Sequence, residues 1–238
     1  MSTSMNLSLE GFSAFENFKT SSFEEVSDTV KNTHFSAVIG RSRGFEKKDL
    51  ETFAKMNLTE EEVRKRINQF LTEQMKARNV LYVSYGADYH EITMVDDECK
   101  LKRSIMATMI EDLPEEFEIV AITHPKNMEP KHPNSKFIPS KTVKLTKSAG
   151  DGWGGHDGNL NPNGSLNPTG ATRITCELMD SVKSMTVFVV SGGPTTAQEL
   201  EVYHSMNVPI IMLDLGLNSP AEEMATKLGI KMTSIQDI

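Results

Sequence analysis

The chain has little cysteine and no long apolar run. Its 238 residues include two cysteines, Cys99 and Cys176, and their number and spacing suit neither a disulfide framework nor a four-thiolate zinc site. No apolar stretch approaches the roughly 18 residues that a membrane span needs, and the polar N-terminus lacks the core of a signal peptide. We therefore expect a cytoplasmic protein with no membrane partner.

Positive charge is also scarce. The chain has 25 Lys and Arg residues against 33 Asp and Glu residues, which gives a formal net charge of −8. A protein that binds a nucleic-acid polymer needs a basic face, so such a polymer is not expected as the main partner. A local pocket can still bind a single phosphate group.

The length and the spacing of apolar segments predict one α/β domain. Residues 1–34 are polar and form either a loose tail or a short docked helix. Residues 35–238 are predicted to form a Rossmann-like, doubly wound domain, with about five mainly parallel strands flanked by helices. The predicted strands are residues 34–40, 80–85, 117–123, 186–190 and 208–213. The predicted helices include residues 59–78, 97–112, 169–183 and 220–228.

A glycine turn joins the fourth predicted strand to a helix. Gly192 and Gly193 permit positive φ angles and a close approach of the backbone to a ligand. Pro194 suits the first position of a helix, where its missing N–H is not needed. The segment S-G-G-P-T-T is therefore predicted to be a ligand-binding turn, and the alternative is a tight strand-to-helix connection with a helix cap.

The helix start after this turn is suited to an anion. Thr195 and Thr196 offer free backbone N–H groups and two hydroxyls at the positive end of the helix dipole. A phosphate group binds well at such a position. Glu199, one turn further on, places a carboxylate near the group to which the phosphate is attached.

This pattern resembles the P-G-G-x-G-T-x-x-E signature of the Lonely Guy phosphoribohydrolases and the wider SLOG group of Rossmann-like proteins. Four residues occupy its fixed positions: Gly192, Gly193, Thr196 and Glu199. Ser191 stands in place of the proline and Thr195 in place of the third glycine. Because a β-branched residue resists positive φ, we expect this turn to bend differently from the family's.

The same segment is similar to a stretch of the nucleoside 2-deoxyribosyltransferases, in which a glutamate acts at the anomeric carbon. Both resemblances imply chemistry at an N-glycosidic bond, with Glu199 beside the ribose. The Lonely Guy resemblance implies that Arg173, on the preceding helix, is a catalytic residue that neutralises the phosphate or assists departure of the base. It also implies a homodimer, because relatives commonly complete their sites across two subunits.

Other candidate residues follow the first two predicted strands. A donor-rich turn, Gly40, Arg41, Ser42 and Arg43, lies where it would contact the same phosphate, and the alternative is a solvated surface turn. Asp88 and Tyr89 lie at the end of the second strand, where they would contact the base or ribose, and the alternative is a polar loop. These positions are all at the ligand-binding edge of a doubly wound sheet.

Residues 125–170 are predicted to form a long irregular connection, rich in Gly, Asn and Pro. Trp153, the only tryptophan, is predicted to stack on the base from a lid, and the alternative is a disordered insertion. A calcium loop is excluded because Pro162 and Pro168 stand where glycine and glutamate are required. The histidines have no ligand-like spacing, so we expect neither a metal nor another cofactor.

The sequence therefore predicts a nucleotide-binding enzyme that cleaves or transfers at the N-glycosidic bond of a nucleoside monophosphate or a related nucleotide. Two alternatives remain at this point. One is a SLOG-type sensor that binds a nucleotide-derived small molecule without cleaving it. The other is a scaffold that uses the fold for protein contacts, although a scaffold would not explain the donor-rich turns.

Overall fold

The computed structural model describes eight parts of the chain. These are residues 21–41, 44–86, 90–95, 98–102, 112–123, 135–138, 143–148 and 154–238. A tail or a docked helix is predicted for the N-terminal segment, and residues 1–20 of this segment lie outside the described residues.

Twelve strands are present in the described parts of the chain. They are β1 (His34–Gly40), β2 (Tyr82–Gly86), β3 (His90–Val95), β4 (Glu98–Lys102), β5 (Glu118–Thr123), β6 (Ser135–Ile138), β7 (Val143–Ser148), β8 (His156–Leu160), β9 (Leu166–Pro168), β10 (Ser184–Val190), β11 (Ile210–Asp214) and β12 (Met232–Ser234).

The same parts contain six α-helices and two 3-10 turns. The helices are α1 (Phe23–Val30), α2 (Lys47–Lys55), α3 (Glu60–Lys76), α4 (Gly170–Glu177), α5 (Pro194–Ser205) and α6 (Pro220–Lys227), and the 3-10 turns are Leu178–Asp180 and Ile235–Asp237. None of these helices is long and apolar enough to cross a membrane.

The main sheet has seven strands in the order β12-β11-β10-β1-β2-β5-β7. Each neighbouring pair is parallel, which confirms the Rossmann-like α/β fold. The five predicted strands form its continuous centre. The two strands that the sequence did not indicate, β7 and β12, are at the edges, where polar residues interrupt the apolar runs that mark buried parallel strands.

Helices cover both faces of this sheet. Along β10, Val187 and Val189 pack into one apolar core with α1, α4, α5 and α6. Phe188 and Val190 point the other way, into a second core with α2 and α3. All four side chains are fully buried, and each contributes about 1.5–3 kcal/mol of hydrophobic stabilisation. The continuous apolar run of β10 thus reflects burial on two sides.

The ends of the helices follow local signals. Thr59 caps α3 through a reciprocal hydrogen-bond pair with Glu62, as the spacing predicts. Asn32, Asn79 and Asn207 adopt left-handed φ angles just after α1, α3 and α5, a conformation that asparagine tolerates better than most residues. Each asparagine thereby turns the chain into the strand that follows.

The predicted helix over residues 97–112 is wrong in its first part. Residues Glu98–Lys102 form β4, which pairs antiparallel with β3 in a small second sheet of order β4-β3-β6. The apolar residues Cys99 and Leu101 alternate with charged residues, a period of two that also fits a strand. Residues 103–111 lie outside the described residues.

The predicted irregular connection over residues 125–170 is also wrong. It contains β6, β7 and a hairpin of β8 and β9. The hairpin packs along α5, where the Leu166 N–H donates to the Ser205 hydroxyl at 3.0 Å. Two of its glycines have positive φ angles, namely Gly164 in the turn of the hairpin and Gly158 where the register of β8 is irregular.

The contact between β1 and β10 at Gly40 gives a stability prediction. A Cβ atom at Gly40 would overlap the Val190 carbonyl oxygen, and the φ angle there is +156°. We expect Gly40→Ala to lower the free energy of unfolding by about 3 kcal/mol, because it adds overpacking to an unfavourable φ. Urea unfolding followed by circular dichroism measures this loss.

Gly164→Ala is the matched control. Gly164 has a φ angle of +84°, but a Cβ atom at this position would have no neighbour within 4 Å in the described parts of the chain, so the substitution should cost only about 1 kcal/mol. Equal losses for the two variants would show that the close approach of the two strands does not constrain Gly40.

Candidate functional site

The strand order places a topological switch point between β1 and β10, a position at which doubly wound sheets have a ligand-binding crevice. From β1 the chain proceeds outward through β2, β5 and β7, then returns to β10 on the other side of β1. The loops after β1 and β10 therefore diverge at this topological switch point, which is where doubly wound sheets bind ligands. The two loops are linked, since the Arg41 N–H donates to the Val190 carbonyl at 3.3 Å.

The turn after β10 bends at Ser191 and Gly192. Their φ angles are +50° and +146°, and a Cβ atom at Gly192 would lie 2.5 Å from Cβ of Thr196. A proline could not replace Ser191, because its ring fixes φ near −65°. Thr195 is already within α5, so it needs no positive φ. The residues with positive φ are therefore Ser191 and Gly192, at the start of the turn.

Gly193 is a glycine that the fold does not require. It caps α5 with φ −86° and ψ −166°, an extended conformation that any residue adopts. Among the described residues, a Cβ atom there would have no neighbour within 4 Å. Neither packing nor backbone strain explains the absence of a side chain, and the open space lies before the first turn of α5. An uncrowded glycine at this position would permit a close approach of the backbone to a ligand.

The two threonines at the start of α5 differ in their surroundings. Thr195 is exposed, whereas Thr196 is buried and its hydroxyl donates to the Gly40 carbonyl at 3.3 Å. The Thr196 hydroxyl thus holds the two switch-point loops together rather than facing the crevice. The backbone N–H groups of both residues lie in the first helical turn, where no intrahelical acceptor exists, so they are the candidate donors for an anion.

Glu199 lies on α5 under the turn that precedes the β8–β9 hairpin. Its Oε1 accepts a hydrogen bond from the Thr172 hydroxyl of α4 at 3.1 Å, and a Cβ atom at Gly154 would lie 2.8 Å from the same oxygen. Burial raises the pKa of this carboxyl to about 7, and the Thr172 hydrogen bond lowers it by a smaller amount. Glu199 can therefore gain or lose a proton near neutral pH.

Two further titratable side chains lie near Glu199. Burial, with the nearby Glu199 and Glu177 charges, raises the pKa of the Cys176 thiol to about 12. Burial is also the main reason that the pKa of Tyr203 lies well above its usual value, with Cys176 and Glu199 contributing. Both groups are neutral at physiological pH, so Glu199 is the group of this cluster that titrates there.

The two described arginines of the prediction are each paired with acidic residues. Arg41 lies 2.6 Å from the buried carboxylate of Asp49 and is directed toward α2. Arg173 lies 2.8 Å from Glu177, one turn along α4, and both side chains are largely exposed. The structure thus brings Gly40 and the Arg41 backbone to the switch point, and it pairs Arg173 with a carboxylate of its own helix.

The remaining predicted site residues lie outside the described residues. They are Ser42, Arg43, Asp88, Tyr89 and Trp153. Within the described parts of the chain, no group of three or more His, Cys, Asp or Glu side chains could hold a metal ion.

Thr172 is a site residue that the sequence did not reveal. It contacts Glu199 across 27 residues of sequence, and no spacing rule connects the two positions. Comparisons with known proteins add no information on the site, because no family model matches the chain and no curated protein is significantly similar to it. The resemblance around Gly192 and Glu199 therefore stays a prediction.

The raised pKa of Glu199 gives a prediction for stability. The folded protein holds this proton up to a pKa of about 7, whereas the ordinary value is 4.5. Between these values the folded state binds more protons than the unfolded state, so this contribution to stability is complete below the lower value and is lost as the pH rises. We expect a loss of a few kcal/mol, on the order of 1.4 kcal/mol per pH unit.

Glu199→Gln should remove this part of the pH dependence, as measured by urea unfolding across that window. Glu201→Gln is the control, because Glu201 lies on the same helix but contacts His156 and Lys227 instead. Identical slopes for the wild type and Glu199→Gln would contradict the burial of the Glu199 carboxyl.

Proposed function

We propose that this protein binds a nucleoside monophosphate or a related nucleotide in the crevice between β1 and β10 and cleaves or transfers at its N-glycosidic bond. The observation on which this depends is the placement of Glu199 on α5, six residues after the open, glycine-lined start of that helix. One element thus presents a phosphate site and a protonatable carboxyl to the same ligand.

The phosphate would bind at Gly193 and the first turn of α5. The N–H groups of Thr195 and Thr196 are unpaired within the helix and lie at the positive end of its dipole. Gly193 leaves the approach to these groups open. Arg41 is already paired with Asp49, so the main-chain donors supply most of the affinity for the anion.

The ribose would then reach Glu199. Six residues of helix span about 9 Å, and side chains of a helix lean toward its N-terminus. The Glu199 carboxyl is therefore displaced back toward the phosphate site, within the reach of a sugar phosphate. A carboxylate in this position stabilises the oxocarbenium-like transition state of bond cleavage.

In the hydrolytic reaction, the bond between the anomeric carbon and the base nitrogen breaks, and its electron pair leaves with the base. A water molecule adds to the anomeric carbon, and Glu199 accepts the proton that this water loses. The departing base takes a proton from solvent. A pKa of about 7 suits Glu199 to this role, because a general base works best when its pKa is near the working pH.

A binding protein without catalysis is the second candidate. The pairing of Arg173 with Glu177 on an exposed face favours it, because the resemblance assigns Arg173 an assisting role beside the ribose. In this case the protein would hold the nucleotide at α5 and leave it intact.

Glu199→Gln distinguishes these two functions. Incubation with a panel of nucleoside monophosphates, followed by chromatography of the free base, should show release by the wild type. We expect the variant to be slower by on the order of 10³, because the charge that stabilises the transition state is lost. Glu201→Gln should retain the wild-type rate. Saturable binding of an intact nucleotide by the wild type would contradict catalysis and support the binding protein.

Gly193→Ala tests the phosphate site separately. Its methyl group meets no atom of the described residues within 4 Å. We therefore expect wild-type stability together with a loss of nucleotide affinity of about tenfold or more, since the methyl group occupies the approach to the N–H groups. Calorimetric titration with a nucleoside monophosphate and with its nucleoside measures this effect. If the wild type and Gly193→Ala bind the monophosphate equally, the phosphate does not lie at Gly193.

A further inference from the structure

Thr172 forms two hydrogen bonds that connect the turn before the β8–β9 hairpin to Glu199. Its hydroxyl oxygen accepts the Gly155 N–H at 3.0 Å and donates to Glu199 Oε1 at 3.1 Å. Because the Gly155 N–H occupies one side of the hydroxyl oxygen, the hydroxyl hydrogen is directed toward the carboxyl. The side chain is 1% exposed, so water does not compete for these bonds.

The backbone of Gly154 closes over the same oxygen. Its φ angle is +150°, and a Cβ atom there would lie 2.8 Å from Glu199 Oε1. At Gly155 a Cβ atom would lie 2.5 Å from the side-chain oxygen of Gln198. Both glycines therefore permit the turn to pack tightly on α5. As a result, Oε1 is enclosed between a hydroxyl group and the main chain.

The second carboxyl oxygen differs from the first. Among the described residues, the hydrogen bonds to the Glu199 side chain reach Oε1 alone. Oε2 is thus the oxygen with capacity for a ligand or a water molecule. An enclosed Oε1 also fixes the plane of the carboxyl group, since both oxygens lie in that plane.

We propose that Thr172 is a positioning residue that orients the Glu199 carboxyl through Oε1 and leaves Oε2 for the substrate. The identity of that substrate rests on the proposed function, whereas the orientation rests on the hydrogen bonds alone. Thr172 acts through Glu199 and does not itself need to contact the nucleotide.

The proposal predicts how Glu199 titrates when the hydroxyl is removed. Burial opposes the charged carboxylate and Thr172 favours it, while the neighbouring Cys176 and Tyr203 are uncharged near neutral pH. Thr172→Val preserves the shape of the side chain but removes the donor, so the pKa of Glu199 should rise further, by about one unit. Carbon NMR of the Glu199 carboxyl across a pH titration measures this shift directly.

Two variants make the test specific. Thr172→Ser retains a hydroxyl and should titrate close to the wild type. Thr175→Val removes a buried hydroxyl of the same helix that donates to the Ala171 carbonyl, and it should leave the pKa of Glu199 unchanged. Should the valine variant not fold, Thr172→Ala removes the same donor with less bulk, and we expect the same direction of shift.

An unchanged Glu199 pKa in Thr172→Val, or a shift in Thr172→Ser as large as that in Thr172→Val, would overturn the proposal. If the wild type releases base from a nucleotide, its pH–rate profile should contain a limb that reports the pKa of Glu199. In Thr172→Val this limb should shift to higher pH by the same amount as the pKa measured by NMR. If the titration moves as expected while the wild type releases no base from any nucleotide, positioning by Thr172 is supported and the proposed function is wrong.

Discussion

The parallel pairing of β1 with β10 is the interaction on which the site depends. Its register places Gly40 opposite Val190, so the two strands end at the same level and their loops begin side by side. The pairing joins residues about 150 positions apart, such as His34 and Ser184. The entropy of closing such a long loop is compensated by a ladder whose side chains are buried on both faces. A switch point, and therefore a crevice, exists only because this pair forms in the middle of the chain's path.

Burial determines the chemistry of the crevice more than charge does. The acidic protein has few cations to place beside a phosphate, and the described Arg41 is paired with the buried Asp49. Under the proposed function, main-chain N–H groups at the start of α5 would bind the phosphate instead, and they keep their polarity at every pH. The same desolvation makes Glu199 titrate close to neutrality. The proposed anion site and the proposed proton-transfer group thus both depend on the packing of α5 rather than on a cluster of charged side chains.

The sequence was sufficient for the centre of the fold and for part of the candidate site. Continuous apolar runs mark strands that are buried on two faces, and all five such runs are strands of the main sheet. The glycine turn and Glu199 were also predictable, because they lie within one strand–turn–helix unit whose geometry is local. Edge strands such as β7 and β12 were not, since one-sided burial leaves a weaker pattern. The strand at residues 98–102 was also missed, because a segment of five residues is too short to distinguish the helical period of 3.6 from the strand period of two.

Long-range contacts explain the rest of what was missed. The pairing of Thr172 with Glu199 depends on how α4 packs against α5, and nothing in either segment specifies its partner. The β8–β9 hairpin was hidden for a related reason. Its Gly and Asn residues indicate turns, but docking on α5 through Ser205 is what makes it an ordered element. The Arg41–Asp49 pair likewise depends on where α2 packs after β1, and the spacing of apolar residues does not predict that position.

Different residues turn the chain at the amino ends and at the carboxyl ends of the parallel strands. Entry into β1, β2 and β11 follows Asn32, Asn79 and Asn207, whereas the exits from β1 and β10 use Gly40, Gly192 and Gly193. Asparagine retains a side chain and loses less freedom on folding than glycine does. The asparagine turns at the amino ends of the strands therefore cost less conformational entropy on folding than the glycine turns at the carboxyl ends do. Packing and positive φ constrain Gly40 and Gly192, so substitutions at these two glycines should be limited by folding, whereas under the proposed function substitutions at Gly193 should be limited by ligand binding.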